Sequence, residues 1–362
     1  YLQIRKSSDN MAEVVISTSG MTFSDVVAIA RDGAHVSIAQ KSLDAMQSSR
    51  DHVEGLAASE TPVYGISTGF GALANRHVSQ ELRTQLQRSL IRSHAAGLGE
   101  PVEREVVRAL MALRLKTIAS GKTGVRPVVA QRMADLLNAG ITPLVREFGS
   151  LGCSGDLAPL AHCALVLMGE GEALDKNGVQ RPVAELLAEA KIAPVQLAEK
   201  EGLALINGTD GMLGMLILAI EDLRMLVDSA DVIAAMSVEG LLGTDRVFIP
   251  ELHEPLRAHP GQAASAARML ATLKDSGIVA SHLHNDDRVQ DAYSLRCAPQ
   301  VAGAVRDTVE YAATVALREL SAVIDNPVVL NDGRISSNGN FHGAPVAYVL
   351  DFLAIAVADL GS

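Results

Sequence analysis

Residues 149–160 read Gly149-Ser150-Leu151-Gly152-Cys153-Ser154-Gly155-Asp156-Leu157-Ala158-Pro159-Leu160, and here the residue types come nearest to unusual chemistry. As plain structure, the Gly, Ser and Asp residues make a turn, Asp156 caps a helix, and Pro159 occupies that helix's first turn, where a missing N–H is no loss. That explains the helix start but not three glycines packed around Cys153-Ser154. A small residue followed by Ser and Gly can undergo backbone cyclisation, because Gly lets its amide nitrogen approach the carbonyl two residues back. Loss of water from this ring and from Ser154 would leave an electrophile built from Cys153, Ser154 and Gly155.

Other suggestive spacings carry less. Gly121-Lys122-Thr123 mimics the end of a phosphate-binding P-loop, but the first Gly of that motif would fall at Lys116, inside a helical pattern. It reads as an interhelical turn. Asn207-Gly208-Thr209 matches a glycosylation acceptor, which means little without a secretory signal. His282-Leu283-His284 with Asp286 and Asp287 holds ligand types, yet such short polar clusters are more often solvated loops, and no metal is expected.

The cassette resembles that of the aromatic amino acid ammonia-lyase family, whose 4-methylidene-imidazol-5-one (MIO) prosthetic group forms autocatalytically from Ala-Ser-Gly or Cys-Ser-Gly. The resemblance extends to Tyr64-Gly65-Ile66-Ser67-Thr68-Gly69-Phe70-Gly71, Leu205-Ile206-Asn207-Gly208-Thr209 and Gln290-Asp291-Ala292-Tyr293-Ser294-Leu295-Arg296-Cys297. It continues through Asp325-Asn326-Pro327 and Gly339-Asn340-Phe341-His342-Gly343, so that it covers nearly everything from Met11 onward. Any one of these motifs is weak; their joint occurrence in family order is specific.

By this resemblance the chain is a carbon–nitrogen lyase. Its MIO, formed from Cys153, Ser154 and Gly155, would bond to the substrate's amino group and make a poor leaving group a better one. The electron density gained by the ring would be stabilised by the free N–H groups of the helix beginning near Leu157. Tyr64 corresponds to the catalytic base, a task that requires its pKa, about 10 when unperturbed, to be lowered by its neighbours. Tyr293 joins the catalytic group. Arg296 would clamp the substrate carboxylate with its planar fork, while Asn207, Gln290, Tyr293 and Phe341 would line the prosthetic group and pocket. Taken singly, each of these would pass as an ordinary turn, surface or core residue.

Substrate choice in the family rests largely on the pair at Ser93-His94. Members acting on phenylalanine or tyrosine carry an aromatic residue or His followed by Leu there, whereas Ser-His resembles the members acting on histidine. The physics agrees, because His94 offers an imidazole partner to a polar ring. The implied reaction is non-oxidative deamination of L-histidine to trans-urocanate. A phenylalanine or tyrosine lyase is the alternative enzyme, and a catalytically silent, truncated helical assembly protein is the alternative of another class. The resemblance also implies a homotetramer, and a chain that stops before the family's C-terminal part.

These residues need helices to position them. Abundant Ala, Leu, Met, Glu and Arg with 3% aromatics favour helix over sheet. Apolar residues recur at three- and four-residue spacing over 24–31, 42–56, 79–96, 103–120 and 127–138, with Gly or Pro in the gaps. Longer patterns over 209–242, 299–324 and 345–360 suit a long-helix bundle. The expected fold is all-α and ammonia-lyase/fumarase-like, with a smaller N-terminal helical region and minor β-hairpins at 14–17 and around Asn331-Asp332-Gly333. Residues 1–10 read as a leader or cloning remnant, 11–200 as the region carrying the MIO loop, and 201–362 as a central bundle incomplete at its C-terminus. The last helix is still strongly apolar at 354–358 and needs partners.

The 362 residues are 48% hydrophobic, enough for one large core or two smaller ones. A formal net charge of -11 would repel a phosphate backbone, so nucleic acid is an unexpected partner. The apolar run from Gly211 to Ile220 is halted by Glu221 and Asp222, short of the roughly 20 residues that span a bilayer, and no membrane partner is expected. Cys153, Cys163 and Cys297 lack the spacing of a disulfide framework, which fits a reducing, cytoplasmic setting.

Overall fold

The computed structural model describes residues 12–18, 20–58, 66, 68, 78–151, 153–284 and 286–361. Helices dominate it, in the order α1 (Phe23–Ala30), α2 (Gln40–Ala57), α3 (Gln80–His94), α4 (Arg104–Ala119), α5 (Pro127–Ala139), α6 (Leu157–Leu167) and α7 (Val183–Ala190). They continue with α8 (Glu201–Ile206), α9 (Asp210–Gly240), α10 (Pro260–Leu273), α11 (Gly277–Ser281), α12 (Tyr293–Arg296), α13 (Ala298–Ser321) and α14 (Ala344–Leu360). The eight helical spans expected from periodicity coincide with α1 to α5, α9, α13 and α14, with ends shifted by a few residues. None of the described helices is long and apolar enough to cross a membrane.

Local chemistry sets the helix ends. Thr22 opens α1 with a capping box: its hydroxyl accepts from the Asp25 N–H at 3.2 Å and its own N–H donates to the Asp25 carboxylate at 2.9 Å. Pro127 occupies the first turn of α5, where it forfeits no helical bond. Helix α4 is buried on all sides from Val107 to Ala119. Its charged residues therefore need partners inside. The Arg108 guanidinium donates to the Ile29 carbonyl at the end of α1 and the Leu137 carbonyl at the end of α5, both at 3.0 Å. It thereby satisfies C-terminal carbonyls of two helices with one cation.

The described chain forms two compact units: Tyr1–Ile217 with Arg318–Ala344, and Leu218–Leu317 with Pro345–Ser362. This partition differs from a division at residue 200, for a physical reason. The first turns of α9 stay in the first unit, where buried Asp210 pairs with buried Arg114 of α4. The segment after α13 returns to that unit, where the Asn326 carbonyl accepts from the Asn207 side chain at 2.9 Å.

Small sheets decorate the first unit. Strand β1 (Glu13–Ile16) pairs in parallel with β2 (His35–Ile38), so the expected hairpin at 14–17 is corrected to a βαβ crossover through α1. An intervening helix is what a parallel pair requires. Strand β3 (Leu98–Pro101) pairs antiparallel with β5 (Arg146–Phe148), and β4 (Thr142–Pro143), β6 (Glu172–Leu174) and β7 (Gln180–Pro182) form a three-stranded sheet. The hairpin around Asn331-Asp332-Gly333 is present as β8 (Val328–Val329) and β9 (Ile335–Ser336).

The second unit has its own core, in which Ala235 and Val238 of α9 pack with Phe248, with Ala266, Met269 and Leu273 of α10, and with Val279 and Leu295. Asp231, fully buried, is held by Arg306 of α13 and Arg268 of α10. Apolar residues along α14 are uncovered, with Tyr348 near its start and Ile355 near its end exposed at 74% and 70%.

Candidate active site

Strand β5 delivers the chain into the Cys153-Ser154-Gly155 loop, and α6 leaves it at Leu157, as the sequence suggests. The Leu151 N–H closes the loop onto the Gly155 carbonyl at 2.8 Å. Gly155 has φ of +56°, a conformation that favours glycine, and a Cβ there would lie 2.6 Å from the Met212 sulfur, so that a side chain would have to displace Met212. Gly155 also bridges in parallel to Gly208, which brings the Asn207-Gly208-Thr209 turn against the cassette.

Each cassette residue has a defined partner. The Ser154 hydroxyl, buried, donates to the Asn207 side-chain oxygen at 3.1 Å, and the Ser154 carbonyl accepts from the Asp156 N–H at 2.7 Å, at the start of α6. The Cys153 carbonyl accepts from the Gly343 N–H at 2.8 Å, while its thiol is exposed and unpaired with another cysteine. Asn207 donates onward to Asn326, whose side-chain oxygen accepts from the Asn338 N–H at 2.9 Å. Beneath them Asp325 and Lys200 form a fully buried ion pair. Burial pushes the Asp325 carboxyl up and the Lys200 ammonium down, and each partner's charge opposes that push.

Asp156 corrects one reading and adds a residue. It stands at the N-cap position of α6, but its side chain does not cap that helix. Its carboxylate instead accepts from the Gly211 and Met212 N–H groups, at 2.8 and 3.0 Å, in the first turn of α9, and from the Ser150 hydroxyl at 2.8 Å. One acid thus ties the cassette to the amino end of the longest described helix, where a negative charge is favoured. Burial nevertheless raises its pKa to about 6, against the pull of those donors. Nothing in local spacing announces this role, since the partners lie 55 and 56 residues away.

His94 ends α3, half-buried, with Nδ1 bonded to the Leu90 carbonyl at 2.9 Å. A carbonyl only accepts, so Nδ1 carries a proton, and in the ring's neutral form Nε2 is an acceptor. The segment after it is held by His162 of α6, whose Nε2 accepts from the Gly97 N–H at 3.1 Å. Phe341, half-buried, lies in the same unit, two residues before Gly343.

Gln290, Tyr293 and Arg296 belong to the second unit. Gln290 is exposed, and Tyr293, at the start of α12, is 73% exposed. The Arg296 guanidinium lies over the Tyr293 ring, 4.5 Å from its centroid, and its Nε donates to the Asp291 carbonyl at 3.0 Å. Those contacts orient the fork, and among the described residues they leave its two terminal nitrogens for another acceptor. Tyr64 and residues 1–10 lie outside the described residues.

The Cys153-Ser154-Gly155 tripeptide, braced by an asparagine, a helix start and a buried acid, invites comparison with known proteins. The sequence profile of the family described as aromatic amino acid lyase matches residues 21–362. The chain belongs to the aromatic amino acid lyase family. That membership makes it a carbon–nitrogen lyase by class. Histidine ammonia-lyase of Streptomyces coelicolor is 67% identical over 352 residues, which are 97% of this chain and 69% of that relative. Among solved structures of this fold, tyrosine aminomutase from Streptomyces globisporus superposes with a TM-score of 0.88 at 37% identity, covering 97% of this chain and 69% of that one. Histidine ammonia-lyase from Trypanosoma cruzi gives 0.84 at 35% identity, covering 96% and 65%. The all-α lyase fold expected from the sequence is thus the fold observed.

Proposed function

We propose that this chain deaminates L-histidine without oxidation, giving trans-urocanate and ammonia, and that Cys153, Ser154 and Gly155 mature into MIO. The observation that carries the reading is the cassette itself. Gly155 sits at a positive φ close against the Met212 sulfur, and the Ser154 hydroxyl that must leave is bonded to Asn207. These residues fit the group. When formed, it supplies an electrophilic carbon that makes the substrate's amine a better leaving group.

The remaining work falls to the chain. The Asp156 N–H, at 2.7 Å from the Ser154 carbonyl, steadies negative charge on that oxygen. Nε2 of His94 accepts a hydrogen bond from the substrate's ring N–H, and the terminal nitrogens of Arg296 hold its carboxylate. Tyr64 takes the β-proton, Tyr293 joins the catalytic group, and Asn207, Gln290 and Phe341 line the pocket. The choice of histidine is supported by Ser93-His94 and by the 67% identity to a histidine ammonia-lyase. A cytoplasmic homotetramer is the proposed working form.

Intact mass and product analysis test this together. The expected result is a chain two waters lighter than its sequence that converts histidine to urocanate. Cinnamate from phenylalanine, or coumarate from tyrosine, in preference to urocanate would transfer the assignment to those lyases. An unmodified mass with no turnover would leave a silent helical assembly protein.

A further inference from the structure

We propose that the Gly343 backbone N–H is the oxyanion donor for ring closure at Cys153, an inference that rests on the cassette maturing as described above. Closure begins when the Gly155 nitrogen adds to the Cys153 carbonyl carbon. A C–N bond forms, the carbonyl π pair moves onto the Cys153 oxygen, and the Gly155 amide proton ends on that oxygen. The resulting hydroxyl leaves as water with the proton of the Ser154 nitrogen, forming a C=N bond. Ser154 then loses its α-proton and hydroxyl as the second water. Only protons and water move, so no oxidant is needed.

An amide nitrogen is a poor nucleophile and an amide carbonyl a poor electrophile, so the first addition is the step that most needs help. Negative charge develops on the Cys153 oxygen, and the Gly343 N–H already points at it from 2.8 Å. A donor in place before the reaction costs no reorganisation when charge appears. Gly343 is buried and immediately precedes α14, so its N–H is not committed to a helical bond. The preceding turn is braced by the His342 N–H on the Gly339 carbonyl at 3.1 Å and the Asn340 N–H on the Asn338 side chain at 2.9 Å. A Cβ at Gly343 would lie 2.9 Å from the Met212 sulfur, the same atom that crowds Gly155. One side chain therefore lies against both the nucleophile's loop and the donor's.

The oxygen this donor holds is expelled in the reaction, so maturation must strip Gly343 of its acceptor. Replacing Gly343 by glycolic acid in cell-free synthesis puts an ester oxygen where the N–H was and leaves the shape unchanged. The expected outcome is loss of two waters about 10²-fold more slowly than in wild type, by intact mass against time, with unaltered helical circular dichroism. Maturation at the wild-type rate would overturn the proposal. Should the ester chain not fold, amide hydrogen exchange at Gly343 decides. It should be slow in Ser154→Ala, provided that variant keeps its full mass, and markedly faster in the matured wild type, whereas equal rates overturn the proposal. A wild type that keeps both waters removes the maturation reading itself, and this donor role with it.

Discussion

The Ser154 hydroxyl is bonded to the side-chain oxygen of Asn207 at 3.1 Å, 53 residues along the chain, in a buried contact. Asn207 spends its amide on the Asn326 carbonyl, so its two ends fasten the cassette to the loop after α13. Asn207→Ala strands a buried hydroxyl and a carbonyl at once. The expected cost is about 1–3 kcal/mol by denaturant unfolding, with incomplete loss of water from Ser154 by mass. A variant with wild-type stability and mass would show that this bond does neither job.

Within the cassette, side chains and backbone have separable roles. Ser154→Ala removes the atom that becomes the methylidene carbon but little buried area, so the helical fold should persist while maturation and turnover vanish. Full lyase activity in that variant would rule out the mechanism. Cys153→Ala should mature, because the position gives the ring only backbone atoms and the exposed thiol is unused.

The cassette, the long helices and the hairpin at Asn331-Asp332-Gly333 were legible because each is written in local spacing. What escaped was nonlocal. Val14 to Ser17 has strand chemistry, but only the position of α1 makes its partner β2 and the pairing parallel. Asp156 reads as a cap for the helix that follows it, yet its donors are Gly211 and Met212. Likewise the buried pairs Arg114 with Asp210 and Lys200 with Asp325 join residues 96 and 125 apart, beyond the reach of periodicity. The Cys153 partner Gly343 is a main-chain donor, and a sequence carries no residue type that announces one.

Asp156 should leave a pH signature. Its pKa rises from 3.8 to about 6 on folding. Between those values the folded chain keeps a proton that the unfolded chain releases, so this group's contribution is complete below the lower value. It is lost as pH climbs through the upper one, with a limiting slope of about 1.4 kcal/mol per pH unit. In Asp156→Asn that slope should disappear from a stability profile measured from pH 4 to 7. An unchanged profile would mean that other groups set it.

His162 should act with the opposite sign. Burial, with Arg146 adding to it, lowers its pKa below 6.5, and its Nε2 must be unprotonated to accept from Gly97. Its contribution is present above 6.5 and is lost as pH falls through the folded value. His162→Gln places an amide oxygen where Nε2 was, without titration. Unfolding at pH 5 relative to pH 8 should then cost the variant less stability than it costs wild type, and an equal or greater loss counts against the assignment.

His94 and Arg296 are assigned to opposite ends of one substrate, and kinetics separate them. Nε of Arg296 is occupied by the Asp291 carbonyl, so a carboxylate must be met by the two terminal nitrogens. Arg296→Lys should raise KM or lower kcat/KM for histidine and phenylalanine alike, because both carry that carboxylate and a point charge cannot reproduce the fork. In His94→Leu the lost group is the Nε2 acceptor, fixed in that role by the Nδ1 bond to Leu90. A histidine ring N–H then enters the pocket unpaired, at about 1–3 kcal/mol, or roughly 5- to 150-fold in kcat/KM. Phenylalanine has no ring N–H to strand and should lose little or gain. Equal losses on both substrates in His94→Leu would mean that His94 does not read the ring, and the physical case for histidine over phenylalanine would go with it.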